Sequence, residues 1–256
     1  LFNTRDRAEH ARKRKTVSHT FSAKSIGQFE QYIHGNVEEF VKQWQRLADL
    51  QGNPKTGYTS LDALNWFNYL AFDIIGDLAF GAPFGMLVKG KDIAEMRKDP
   101  KDPPKYVAAV EVLNRRGEVS AALGCMPSLI PFAKYIPDKF FTEGIQAVEN
   151  LAGIAIARVN ERVKPEVMAN NTRVDLLARL MEGKDGNGNQ LERAELTAEA
   201  LTQLIAGSDT TSNTSCAILY WCMQTPHVLP KLRKALDEAI PKDIEVPTHA
   251  MVKDIP

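Results

Sequence analysis

A mainly α fold with one very long central helix is predicted by three features of the sequence. From Phe29, apolar residues fall at Ile33, Val37, Phe40, Val41, Trp44, Leu47 and Ala48, a stripe of 3.6-residue period. The run "ALNWFNYLAFDIIGDLAFG" is apolar on most sides, the pattern of a helix buried mid-fold. A third helix is expected from about Glu192 to Gln224, where Pro226 forbids smooth continuation. At 1.5 Å per residue it would span roughly 48 Å, the width of a whole domain.

The remaining elements follow in order. "GNPKTG" (Gly52 to Gly57) stops the first helix with turn formers, and "YTSLD" reads as a brief extended segment. Gly81, Pro83 and Gly85 break the chain after the buried helix. The charged, proline-marked stretch Lys89 to Pro104 is expected to be a surface loop. Tyr106 to Leu123 returns to helix, "MPSLIPFAKYIPD" is interrupted by proline, and Phe140 to Val163 is helical again. "RVDLLARLMEG" is a short amphipathic helix closed by "KDGNGN", a turn with left-handed propensity. A last amphipathic helix covers Pro230 to Ile240. Repeats and low-complexity tracts are absent from the sequence.

Composition bounds the function. The 256 residues are 44% hydrophobic, enough for a sizeable core, and 32 basic side chains balance 32 acidic ones. That balance gives no general drive toward nucleic acid or anionic membrane. Cys125, Cys216 and Cys222 are odd in number and lack metal-ligand spacing, so they read as reduced thiols, and no metal ligand is assigned in the chain. The five histidines form no HExxH and no Cys-His cluster, which argues against zinc. No apolar run reaches the roughly eighteen residues of a membrane-spanning helix. The chain opens on Leu1 and stops at Pro256 without a cap or tail. Residues 1–256 are therefore expected to be one partial domain, truncated at both ends.

The chemistry concentrates in "LIAGSDTTSNT", Leu204 to Thr214. Thr210 lies four residues after Ala206, so its hydroxyl can bond back to that carbonyl and loosen the helix. Gly207 lacks a Cβ, so something flat and bulky can press against the helix there. Asp209 and Thr210 then offer a carboxylate and an alcohol as a relay for protons, together suggesting an oxygen-activating site. The alternative is that small and polar residues only let two helices cross closely.

Near the start, "EHARKRKTVSHTFS" places His10 and Arg14 at i and i+4, with Phe21 and Ser22 seven and eight residues after the arginine. A solvated basic face, or an import-like patch, is the other reading of its "RKRK". These segments together resemble the cytochrome P-450 family. In that family a Trp (or His)-x-x-x-Arg helix binds the haem propionates and precedes a Phe-Ser or Phe-Thr pair. The resemblance implies that His10 and Arg14 hold propionates, chemistry that suits an imidazole and a guanidinium. "AGSDTT" looks like the family's distal helix. It implies Ala206 and Gly207 over the haem face, Asp209 and Thr210 delivering protons during O–O cleavage, and Thr211 supporting the hydrogen bonding.

Longer segments, such as "LDALNWFNYLAFDIIGDLAFGAPFGML" and "EVLNRRGEVSAALGC", look like the fungal benzoate para-hydroxylases within the family. That likeness implies haem b and 4-hydroxylation of benzoate by dioxygen, with two electrons from NADPH delivered by cytochrome P-450 reductase. It also implies an anchor upstream of Leu1 holding the protein on the cytoplasmic face of the endoplasmic-reticulum membrane. A buried benzoate carboxylate needs a cationic partner, for which Arg115 and Arg116 are candidates. Leu204, Ile205 and Ser208 are expected either to line the substrate cavity or to be core. Another aromatic or lipid substrate, or a non-catalytic helical scaffold, remain the alternatives.

The sequence departs from the family where the haem ligand belongs. None of Cys125, Cys216 and Cys222 sits in a Phe-x-x-Gly-x-Arg-x-Cys-x-Gly loop. Glu-x-x-Arg occurs only as Glu9 to Arg12, at the wrong end of the chain. Alone, this stretch is expected neither to hold haem productively nor to turn over.

Overall fold

Helix follows helix through the computed structural model, which describes residues 4–51, 56–169, 173–183 and 188–255. The helices are α1 (Arg7–Ser18), α2 (Ala23–Gln51), α3 (Ala63–Phe80), α4 (Met86–Lys89), α5 (Ala109–Cys125), α6 (Lys139–Arg162), α7 (Pro165–Ala169), α8 (Leu176–Glu182), α9 (Arg193–Gln224), α10 (Val228–Ala239) and α11 (His249–Val252). The architecture is mainly α, as the apolar periodicity predicts. The proline-interrupted stretch winds as a 3-10 segment, Pro127–Tyr135.

α3 is the central buried helix, and its ends are set locally. The Asp62 carboxylate accepts from the Asn65 amide at 3.1 Å and caps the start. Gly81, at φ 81°, turns the chain into the left-handed region and donates to the Asp77 carbonyl. A Cβ at Gly81 would also meet the Arg162 side chain at 2.7 Å, so geometry and packing both demand glycine there. Between the caps, Ala71, Phe72, Ile75, Leu78, Ala79 and Phe80 are buried in the main core. α9 packs along α3, and α5 packs along α6.

Two sequence expectations are corrected. Lys89 to Pro104 is not all loop: β1 (Ala94–Met96) pairs antiparallel with β2 (Lys105–Val107), Ala94 opposite Val107 and Met96 opposite Lys105. Ala94 and Met96 are buried, and the Arg97 amide donates to the Gly153 carbonyl of α6 at 3.1 Å. Three alternating residues are too few to register as a periodic pattern among charges. Tyr106 accordingly lies in β2, and α5 begins only at Ala109. There the Asp92 carboxylate accepts from the amides of Val110 and Glu111 at 3.0 and 3.2 Å, as a cap supplied from a distant loop. "YTSLD" leads into α3 without regular secondary structure, and Asp62 at its end has the extended backbone of a helix cap. Of the two predicted turns, Gly52–Lys55 and Lys184–Asn187 lie outside the described residues. The flanking Gly57 and Gly188 have φ of 70° and 85°.

A buried polar network joins four helices. Arg173 Nη2 donates to Asp77 Oδ1 at 2.7 Å, and its Nε donates to Asp175 Oδ2 at 3.0 Å. Asn36 of α2 donates to Asp77 at 3.0 Å, and Arg162 at the end of α6 lies 3.6 Å from Asp175, which caps α8. The Tyr32 ring lies under the Arg173 guanidinium at 3.6 Å. Among the described residues, no helix is long and apolar enough to cross a membrane.

Candidate functional site

α9 presents two chemically different faces. Leu196, Ala200, Leu204, Ser208 and Ser212 are buried, a stripe at four-residue spacing. Ala206, Asp209, Thr210, Thr211, Asn213 and Thr214 are exposed on the other side, and all of them are small or polar. Leu204 and Ser208 are therefore core side chains rather than cavity lining, with Ser208 donating to the Leu204 carbonyl at 2.7 Å.

The predicted bond is present: Thr210 Oγ1 donates to the Ala206 carbonyl at 2.7 Å. α9 remains α-helical through this turn. With its proton so placed, the hydroxyl oxygen presents lone pairs as an acceptor toward the open face. One residue away, Asp209 Oδ1 accepts from Asn213 Nδ2 at 2.9 Å, and the same amide donates to the Asp209 carbonyl at 3.0 Å. Asn213 was not singled out from the sequence, although its i+4 spacing from Asp209 inside the polar stretch was legible. Gly207 serves a neighbour other than a flat ligand: a Cβ there would meet Ile75 of α3 at 2.9 Å. Its small size leaves room for Ile75 where α9 packs on α3.

The two candidate arginines part company. Arg115 donates to Glu118 at 3.0 Å and to Glu143 of α6 at 2.7 Å, and it lies over the Phe140 ring. These carboxylates hold its guanidinium above the usual arginine range. Arg116, half-buried, has no ion-pair partner among the described residues and faces a cleft of about 400 Å³ between α5 and α9. Leu113, Ile205 and Asp209 share that cleft. Of the residues expected to meet substrate, the fold thus brings Arg116 and Ile205 to Asp209, and turns Arg115 away.

At the other candidate position, Arg12 rather than His10 or Arg14 anchors α1. Its guanidinium pairs with Glu9 at 2.7 Å and with Glu195, in the first turn of α9, at 2.9 Å. Lys13 reaches the same Glu195 at 3.7 Å. Only part of the basic run is thus a solvated face. His10 is half-buried, Arg14 is exposed, and neither makes a side-chain hydrogen bond or ion pair with the described residues.

These features fit one side of a flat dianion such as haem. The small exposed face of α9 can lie against a ring, and an unengaged imidazole–guanidinium pair can receive carboxylates. Cys125 is exposed at the end of α5, while Cys216 and Cys222 are half-buried on α9 itself. The family model for cytochrome P450 matches residues 1–256. The chain belongs to the cytochrome P450 family.

Among curated relatives, this P450 chain is 84% identical over 256 residues to benzoate 4-monooxygenase bphA of Aspergillus niger, covering all of the chain and 50% of that protein. It is 26% identical over 239 residues to cytochrome P450 monooxygenase astJ of Aspergillus oryzae, covering 93% of the chain and 42% of the relative. With trichothecene C-4 hydroxylase of Trichoderma arundinaceum the identity is 27% over 248 residues, 97% of the chain and 45% of the relative. The chain spans about half the length of the curated relatives it matches.

Proposed function

We propose that this chain belongs to a haem-thiolate monooxygenase that converts benzoate, dioxygen, two electrons and two protons to 4-hydroxybenzoate and water. The observation that carries the reading is the 84% identity, across the whole chain, to a protein named benzoate 4-monooxygenase. Haem, when bound, supplies the iron at which dioxygen is activated.

The chain's own residues do the rest. Asp209, steadied by Asn213, exchanges protons with solvent through the α5–α9 cleft, and Thr210 accepts a hydrogen bond at its lone pairs from the water that carries them. Ala206 leaves room for the ring, and Thr211 sits beside it on the same exposed side. His10 and Arg14 hold the propionates. Arg116 pairs with the substrate carboxylate at the α5 side of the cleft, with Ile205 against the ring. The electrons come from NADPH through cytochrome P450 reductase, and an N-terminal anchor holds the protein on the endoplasmic-reticulum membrane. Both are inferences from the family likeness.

Titrating the complete, haem-loaded protein with benzoate and with a long-chain fatty acid tests the substrate. Benzoate is expected to perturb the haem spectrum saturably and the fatty acid is not; the reverse result assigns a lipid substrate. The packing of Gly207 on Ile75 favours a second reading, in which the polar cluster serves only helix crossing. Thr210→Ala in the complete protein separates the two: an oxygenase consumes oxygen with product yield down about tenfold or more, whereas a scaffold has no oxygen phenotype.

A further inference from the structure

A second cavity, of about 320 Å³, opens between the Pro83–Lys89 segment, the β1–β2 hairpin and the last turns of α6, and it shares no residue with the α5–α9 cleft. Its wall includes Arg158. That guanidinium lies 4.2 Å over the Phe84 ring and donates through Nη2 to the Pro83 carbonyl at 3.0 Å, while its Nε is buried with no acceptor. Among the described residues no carboxylate reaches Arg158 at ion-pair distance. Asp73, Glu95 and Glu161 act on it at longer range. Each is already committed. Asp73 accepts from the amides of Met86 and Leu87, Glu95 pairs with Arg97 at 2.7 Å, and Glu161 pairs with Lys164 at 2.6 Å.

Lys89, on the same wall, has no side-chain partner among the described residues. Among the side chains that line the cavity, the cations Lys89, Arg97 and Arg158 outnumber the carboxylates Glu95 and Glu161, which leaves one net positive charge. Burying a guanidinium without a counter-ion is costly, and burial here pulls Arg158 below the usual arginine range. A bound anion supplies the charge that the fold omits.

We propose that this cavity is a binding site for a phosphate-bearing anion, either a free phosphomonoester or a lipid headgroup. The surplus of positive charge, with Arg158 lacking a carboxylate at ion-pair distance, favours an anion. Arg158 Nη1, which makes no hydrogen bond among the described residues, can donate to a phosphoryl oxygen, and Lys89 adds a mobile point charge at the mouth. The volume sits at the small end of ligand sites, which run from about 300 Å³ upward. It leaves space for a short organic group beside the phosphate, against the exposed ring of Tyr106.

The test uses the complete, haem-loaded protein at constant ionic strength. Glycerol 3-phosphate is titrated by calorimetry, and phosphatidic acid and phosphatidylcholine vesicles are compared by co-sedimentation. Arg158 packs on Phe84, so its removal risks the fold; exposed Lys89 does not, and Lys89→Gln is the deciding variant. Saturable glycerol 3-phosphate binding that weakens about tenfold or more in Lys89→Gln supports a soluble ligand. Selective sedimentation with phosphatidic acid, lost in the same variant, supports a headgroup. Binding to neither, or binding that Lys89→Gln leaves unchanged, overturns the proposal.

Discussion

Arg115 and Arg116 are adjacent in the chain, yet one step of about 100° around α5 gives them opposite environments. Arg115 is neutralised by Glu118 and Glu143, whereas Arg116 faces the cleft that holds Asp209. Arg116→Gln is expected to weaken benzoate binding about tenfold or more, the scale of a charge-assisted hydrogen bond. Arg115→Gln should change it less than about twofold, because exposed ion pairs contribute little. Calorimetric titration with benzoate checks both, and equal effects would remove the distinction. Asp209→Asn keeps the bond to Asn213 in outline but removes the proton-carrying group. Its turnover is expected to fall about 100-fold or more, with oxygen consumption measured against product.

At the scale of elements, the α3–α9 contact governs which face of α9 is left exposed. Gly207 permits it by leaving room for Ile75, whose Cδ1 and Cγ1 would lie 2.9 and 3.0 Å from an added Cβ. Gly207→Ala is expected to cost about 1–3 kcal/mol by overpacking. Ile75→Val removes the Cδ1 atom at a cost of about 0.5–1.5 kcal/mol when made alone. In the double variant the two costs should fail to add, because each relieves the other. Denaturant unfolding of the four proteins measures this, and strict additivity would show that the two residues do not share the contact. α1 depends on α9 as well, since Arg12 and Lys13 both reach Glu195.

Across the whole molecule, buried charge is the feature that most constrains stability. Arg173 links Asp77 of α3 to Asp175 at the start of α8, and Arg162 and Asn36 extend the network to α6 and α2. Arg173→Met leaves two buried carboxylates short of their partner and should destabilise by about 3–5 kcal/mol, read by denaturant unfolding. Asp73 gives the molecule a pH dependence. Burial raises its pKa above the ordinary 3.8, against the opposing amides of Leu87 and Met86. The folded state then binds this proton more tightly than the unfolded state. Asp73 therefore adds stability as pH falls from its raised pKa to 3.8, and loses it as pH rises through the same window. The stability difference between wild type and Asp73→Asn should shift toward wild type as pH falls through that window. A difference that stays flat with pH would contradict the raised value.

The sequence by itself determined most of the helices and the local bonding of the polar stretch in α9, because both are written in short-range spacing. The stripe of α2, the all-round apolarity of α3 and the reach of α9 up to Pro226 depend on residues within a few turns of one another. So does the Thr210 bond to Ala206, which is an i to i+4 contact. What only the tertiary structure decided was direction and partnership. It placed Gly207 against Ile75, put Leu204 and Ser208 in the core, and separated Arg116 from Arg115. It also formed the β1–β2 hairpin on α6 and left Arg158 without a counter-ion. Each of those outcomes joins residues far apart in the chain, and local periodicity carries no record of which distant surface a face will meet.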